Sequence, residues 1–250
     1  MSNFRNRIKK SSSDKSKIIL ANDLVNIPVE KLESKTIKNI RTLNEFLCAI
    51  KMNFHLILPL GMKSLTKINH IAHDVGLQCI ADIKLNDIGN TNQMVAEKLW
   101  QCGFDALIAN PIMGPDNLKN IVSDAHKVSN GIITLVHMSH LGAKSGYGLS
   151  VKKADNKRML KLHELFLEWS CSLNVDGIVV GATVPEIIRT CHKRTRDICE
   201  IYSPGIGTQG GSPENALKAG SDYLIVGRTI LQSDNPSFEA KKLRDFSLQT

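Results

Sequence analysis

Short runs rich in Ile, Val and Leu recur along the chain from residue 17 onward: KIILAND, LCAIKMNF, LQCIADIK, FDALIANP, GIITLVHM, VDGIVVGA, CEIYSPG and DYLIVGR. Each has the length and β-branched content of a strand. Between them lie stretches with helical spacing, such as NQMVAEKLWQCG, PDNLKNIVSDAHKVSNG and KRMLKLHELFLEWSCSLN, most of them closing near Gly or Asn as helix C-termini do. Near-continuous apolar strands alternating with amphipathic helices specify a parallel sheet covered on both faces. Eight such units in a chain of this length predict an α/β fold, a closed (β/α)8 TIM barrel in a single domain. An open doubly wound sheet is disfavoured, because no G-x-G-x-x-G follows the first strand.

With 250 residues, 42% of them hydrophobic, the chain can bury one sizeable core. It holds no apolar run long enough to span a bilayer and no apolar segment behind the basic start MSNFRNRIKK, which predicts a cytoplasmic protein without membrane contact. Six scattered cysteines with no C-x-x-C pair read as reduced core thiols, not as disulfides or a zinc site. The net charge of +8 is concentrated at one end, where Arg5, Arg7, Lys9, Lys10, Lys15 and Lys17 against Asp14 supply +5 of it. Residues 1–16 are therefore expected to form a basic, solvated, disordered tail, a polyanion-binding arm being the alternative, and residues 17–250 the barrel. What remains on the body is too little for a phosphate-tracking surface, so no specific nucleic acid is expected.

Function in such a barrel sits at the C-terminal ends of the strands, where the unusual residues collect. Asn22 and Asp23 end the first, Lys51 the second, Asp82 and Lys84 the third, Ser139 and His140 the fifth, and Gly227 and Arg228 the eighth. The stretch DIKLNDI, residues 82–88, puts two acids and a lysine where a strand leaves an apolar core. Side chains two apart on a strand share a face, so Asp82 and Lys84 are expected to point together into the barrel mouth, with Asp87 beyond on the loop. Lys51, flanked by apolar neighbours, brings another cation to the same region. Alternating charges of this kind hold one another ionised, and such perturbed clusters favour a functional site over a structural ion-pair network.

The loop PGIGTQGGSPENA, residues 204–216, is followed by DYLIVGRTI. Its glycines let backbone N–H groups approach a ligand, Gln209 adds an amide and Arg228 a planar cationic fork. Loops after strands seven and eight are the usual phosphate site of this barrel, which points to a phosphate monoester.

These residues resemble the orotidine 5'-phosphate decarboxylase family in its short archaeal form. The D-x-K-x-x-D motif is complete in Asp82, Lys84 and Asp87, followed by IGNTN, and the resemblance runs from about Lys17 to Lys242. It implies catalytic roles for Lys51, Asp82, Lys84 and Asp87, with Lys84 as proton donor and Lys51 bridging ribose and the first acid. It implies substrate binding by Asp23 at the ribose, by Ser139 and Pro204 at the pyrimidine, and by Gln209, Gly227 and Arg228 at the phosphate. Asp87 and Thr91 would enter the neighbouring subunit's site in a homodimer. The substrate would be orotidine 5'-phosphate, and neither metal nor cofactor is implied. Gly89 and His55 depart from the pattern, standing where proline is common, and the Lys51 to Asp82 separation is a few residues longer. An alternative register would set His55 in place of the lysine, but AIKMNF suits the strand better.

Two rivals are weaker. Relatives that act on phosphosugars share D-x-K-x-x-D but use Mg2+ and place a glutamate where this chain has Lys51. His137 and His140 could suggest a metal, yet no acid accompanies them on that strand, and they read as polar rim histidines. A non-catalytic nucleotide or RNA binder would want stacking aromatics, and Phe, Trp and Tyr make up only 5% of the chain.

Overall fold

The computed structural model describes residues 3–153 and 157–249. Eight strands close into one barrel: β1 (Ile18–Ala21), β2 (Ala49–Asn53), β3 (Gln78–Leu85), β4 (Ala106–Ala109), β5 (Gly131–His137), β8 (Gly177–Val180), β9 (Glu200–Pro204) and β10 (Tyr223–Val226). All neighbours are parallel, and β10 pairs with β1 to complete the ring. The eight apolar runs thus each supply one barrel strand. Two further strands, β6 (Ser150–Lys152) and β7 (Met159–Lys161), form an antiparallel hairpin between β5 and β8.

Outside the strands lie α2 (Val29–Leu43), α3 (Phe54–Asp74), α4 (Gly89–Gln101), α5 (Pro115–Lys127), α7 (Leu162–Ser172), α8 (Pro185–Thr195), α9 (Pro213–Lys218) and α11 (Pro236–Leu248), with short turns α6 (Ala143–Tyr147) and α10 (Arg228–Leu231) at the strand C-termini. Four of these helices have proline in the first turn, where its missing N–H costs nothing. KRMLK was expected to open a helix. Instead it forms β7, because Glu164 caps the backbone N–H of Lys161 and starts α7 only at Leu162.

The core has two shells. One fills the space between strands and helices, and the other fills the barrel with residues such as Ile19, Ile80, Ile133, Tyr202 and Ile225. At the N-terminal end, Asp105, Asp176 and Asp222 each directly precede a strand and accept the backbone N–H of the second residue of the neighbouring one, Cys79, Ile132 and Ile201, at 2.8, 2.8 and 2.7 Å. His73 and His126, from the last turns of α3 and α5, donate to Asp105 and Asp176 at 2.8 and 3.0 Å. These clamps fix strand register at the end remote from the mouth.

The expected disordered tail is instead a helix, α1 (Asn3–Asp14), that plugs the bottom of the barrel. Phe4 and Ile8, one turn apart, are fully buried among the interior residues. Phe4 lies so close to β5 that a side chain at Gly131 would meet its ring at 2.3 Å. Three of the cations read as solvated have acids waiting for them: Arg5 bonds Glu200 twice, at 2.8 and 3.0 Å, Lys9 reaches the same carboxylate at 2.8 Å, and Arg7 pairs with Asp105 at 3.1 Å. Ser11 donates to the carbonyls of Cys48 and Gly76.

Phe4→Ala is expected to destabilise the protein by about 3 kcal/mol, the lower end for emptying a buried phenyl site. Urea unfolding followed by circular dichroism measures this. An unchanged midpoint would mean that α1 is not docked.

Candidate active site

At the C-terminal end of the barrel, β2 and β3 deliver a chain of charges. Lys51 is buried, and its Nζ lies 2.8 Å from Asp82 Oδ2 and 3.2 Å from Asp23 Oδ1. Lys84 Nζ lies 2.7 Å from the other oxygen of Asp82. One buried carboxylate is thus held by two ammonium groups, and Asp23, just beyond β1, ends the row. Burial alone would lower the pKa of Lys51, but Asp82 and Asp23 outweigh it and hold the lysine above its ordinary value. Burial alone would likewise raise Asp82, and Lys51 and Lys84 reverse it, so the acid sits below the usual carboxylate range. Both shifts keep the cluster ionised.

Simple strand alternation does not describe how Lys84 gets there. Its backbone is left-handed, φ +47°, and the register of β3 against β4 shifts between Ala81 and Leu85. A non-glycine residue in this region costs on the order of 1 kcal/mol or more and persists only when its surroundings impose it. Here the distortion brings the ammonium onto Asp82.

On the other flank of β1, the loop after β9 closes on the turn after β10. A Cβ at Gly207, φ +73°, would lie 2.3 Å from Thr229 Oγ1, so only glycine permits the contact. Thr229 in turn donates to the Ile206 carbonyl at 3.1 Å. Ser139, beyond β5, donates to Gln209 Oε1 at 2.7 Å and ties this loop to the base of the mouth. Among the described residues the exposed Arg228 guanidinium enters no ion pair.

A cavity of about 630 Å3 joins the two flanks. Asp23, Lys51, Asp82, Lys84, Ser139, Pro204, Gln209, Gly227 and Arg228 all line it, over an apolar floor that includes Ile108, Leu135, Val179 and Ile225. Asp87 and Thr91 do not. Asp87 stands exposed between β3 and α4, where it accepts the Ile88 N–H at 2.7 Å, and Thr91 is exposed in the first turn of α4.

Of the two expected rim histidines, only His140 faces the cavity. His137 is buried, its Nδ1 bonded to the Met138 carbonyl at 2.7 Å and its ring packed by Tyr147 and His163; burial lowers its pKa. Sequence reading missed Asn53, which lines the cavity two residues after Lys51, although the same alternation that singled out Lys84 would have found it. Among the described residues one trio could donate to a metal, His73, Cys79 and Asp105, and it lies at the opposite end of the barrel. Asp105 is already engaged there by Arg7, His73 and the Cys79 N–H.

The arrangement can hold a phosphorylated ligand at Arg228 while presenting a charged row to its other end. The sequence matches the model of the orotidine 5'-phosphate decarboxylase / HUMPS family over residues 16–243. It is 35% identical over 205 residues to an orotidine 5'-phosphate decarboxylase of Thermococcus kodakarensis, covering 82% of this chain and 87% of that one. The crystal structure of orotidine 5'-phosphate decarboxylase from Pyrococcus horikoshii superposes with a TM-score of 0.72 at 33% identity, covering 91% of this chain and 97% of that one. That of the Methanocaldococcus jannaschii orotidine 5'-monophosphate decarboxylase complexed with the inhibitor BMP does so with a TM-score of 0.78 at 26% identity, covering 93% and 98%. The chain belongs to the orotidine 5'-phosphate decarboxylase / HUMPS family.

Proposed function

We propose that this protein is a cytoplasmic carboxy-lyase that converts orotidine 5'-phosphate to uridine 5'-phosphate with no metal or organic cofactor. The observation that carries the reading is the Lys51–Asp82–Lys84 array, an ionised carboxylate with an ammonium on each oxygen, in a cavity that Arg228 also lines. Gln209, Gly227 and Arg228 grip the phosphate, Ser139 and Pro204 meet the pyrimidine, and Asp23 and Lys51 meet the ribose. Charge-assisted bonds to the phosphate contribute roughly 1.5 to 3 kcal/mol each, binding energy that brings the reacting carboxylate against Asp82.

Two like charges about 4 Å apart at an effective dielectric near 20 repel by up to about 4 kcal/mol, and the repulsion is relieved as CO2 leaves. The bond from C6 to the carboxyl carbon breaks with its electron pair left on C6. Lys84 stabilises that pair and transfers a proton from Nζ to C6; the neutral amine then regains a proton from water. Magnesium-dependent chemistry fits poorly, because the Lys51 ammonium already sits within 3.2 Å of both acids where a divalent ion would have to bind.

Asp87 and Thr91 act in the neighbouring subunit of a homodimer. Supporting this, Ile88 and Met94, neighbours of Asp87 and Thr91 in the chain, are large apolar side chains left exposed. Neither a membrane nor a nucleic acid takes part. Among the described residues no helix is long and apolar enough to cross a membrane.

Purified protein should deplete orotidine 5'-phosphate absorbance at the same rate with and without EDTA. Loss of activity on chelation, restored by Mg2+, would move it to the metal-using branch. For the shared site, Lys84→Ala and Asp87→Ala should each be nearly inactive. After mixing in equal amounts and subunit exchange, half the dimers are mixed and each has one intact site, so activity should return to about one quarter of wild type. No recovery despite verified exchange would place Asp87 in its own subunit's site.

A further inference from the structure

Every residue of 86–91, the stretch that carries Asp87 out of β3 and into α4, is exposed, so apolar packing does not hold it in place. The first buried side chain after Leu85 is that of Asn92, 2% exposed, in the first turns of the helix. Its carboxamide turns back onto Asp87. Oδ1 accepts the Asp87 backbone N–H at 3.0 Å, and Nδ2 donates to the Asp87 carbonyl. The Asn92 backbone N–H in addition donates to the Ile88 carbonyl at 3.0 Å.

A primary amide offers donor and acceptor in one plane, so a single side chain can pair with both polar groups of one backbone residue, as a neighbouring strand would. The clamp takes over where the ladder of β3 ends, at the Leu85 carbonyl that accepts the Asn110 N–H at 2.8 Å. Asn92 Nδ2 also reaches Met113 Sδ at 3.4 Å, in the turn Pro111–Met113 after β4, and Asn117 of α5 donates to the Met113 carbonyl at 3.0 Å. One buried amide thus anchors the Asp87 backbone to α4 and to the segment that joins β4 to α5. The Asp87 carboxylate gives its own chain little in return. One oxygen accepts the adjacent Ile88 N–H, and among the described residues the other has no protein partner. Burying a carboxamide to hold the backbone of an exposed acid is costly unless every bond is kept, and it fixes the direction in which that acid leaves the surface.

We propose that Asn92 is a positioning residue that acts in trans: by clamping Asp87 it serves the neighbouring subunit's site and leaves its own subunit's site untouched. The assignment rests on the reading of Asp87 as the acid that completes the partner's site in a decarboxylase homodimer.

The test is subunit mixing with Asn92→Leu, which keeps the volume and loses the bonds, and Asn92→Asp, which keeps the shape and the acceptor; thermal melts verify folding, and the better-folded variant decides. Asn92→Leu should turn over orotidine 5'-phosphate about 10- to 100-fold more slowly than wild type, the scale for a reacting group displaced by an ångström or so. Asn92→Asp should fall in between, and should gain on wild type as the pH is lowered and its carboxyl regains a hydrogen for the Asp87 carbonyl. Mixed with an equal amount of Lys84→Ala and allowed to exchange, either variant should rise to about one quarter of wild type, because each mixed dimer has one site with its own Lys84 and a correctly held Asp87 from the partner. Mixed with Asp87→Ala, the same variant should stay below its own unmixed activity, since no site then receives a correctly held acid. Unchanged turnover in both variants overturns the clamp. No rise with Lys84→Ala, although Lys84→Ala and Asp87→Ala restore each other, overturns action in trans and leaves Asn92 a structural residue of its own subunit. If Lys84→Ala and Asp87→Ala fail to restore each other despite verified exchange, the shared site itself is withdrawn and this assignment with it.

Discussion

The Asp82 carboxylate is buried, and a lone buried carboxylate would take up a proton and become neutral. It stays charged because Lys51 and Lys84 each occupy one of its oxygens, and Lys51 is itself kept charged by sharing Asp23. None of these groups could be removed without leaving another uncompensated, which typically costs several kcal/mol at a buried pair. Two adjacent strands, the loop after β1 and the left-handed turn of backbone at Lys84 are all arranged to keep this row assembled.

A closed barrel is what makes that arrangement affordable. Every strand has two partners, so the sheet has no edge at which the mouth could splay. The opposite end is sealed by α1 and pinned by the aspartates that precede β4, β8 and β10. The mouth can then carry a strained lysine, an exposed arginine and a glycine-dependent loop, features that do little for folding.

Much of this was legible in the sequence, and the exceptions have a common cause. The eight strands were visible because a barrel strand is buried along most of its length and so is apolar throughout. Asp82, Lys84 and Asp87 stood out as charges where such a strand ends. What a local pattern hides is the distant partner. Arg5 and Lys9 look solvated until Glu200 is placed opposite them, 195 residues after Arg5. Phe4 and Ile8, only one turn of apolar signal, were outweighed by the surrounding cations. The β6–β7 hairpin lacks the continuous apolar run of a barrel strand, with Leu160 its only buried side chain among the described residues. His137 and His140 are alike in composition, but the burial that separates them depends on Tyr147 and His163 folding over the first.

The central claim is that Lys84 delivers a proton to the carbon that CO2 leaves. Wild-type protein and Lys84→Ala should be given orotidine 5'-phosphate in D2O, with the product followed by proton NMR. Wild type should yield uridine 5'-phosphate carrying deuterium at C6, and Lys84→Ala, while still binding uridine 5'-phosphate, should turn over at least about a thousand-fold more slowly, within the range for loss of a positioned general acid. Turnover by Lys84→Ala within ten-fold of wild type would contradict the account.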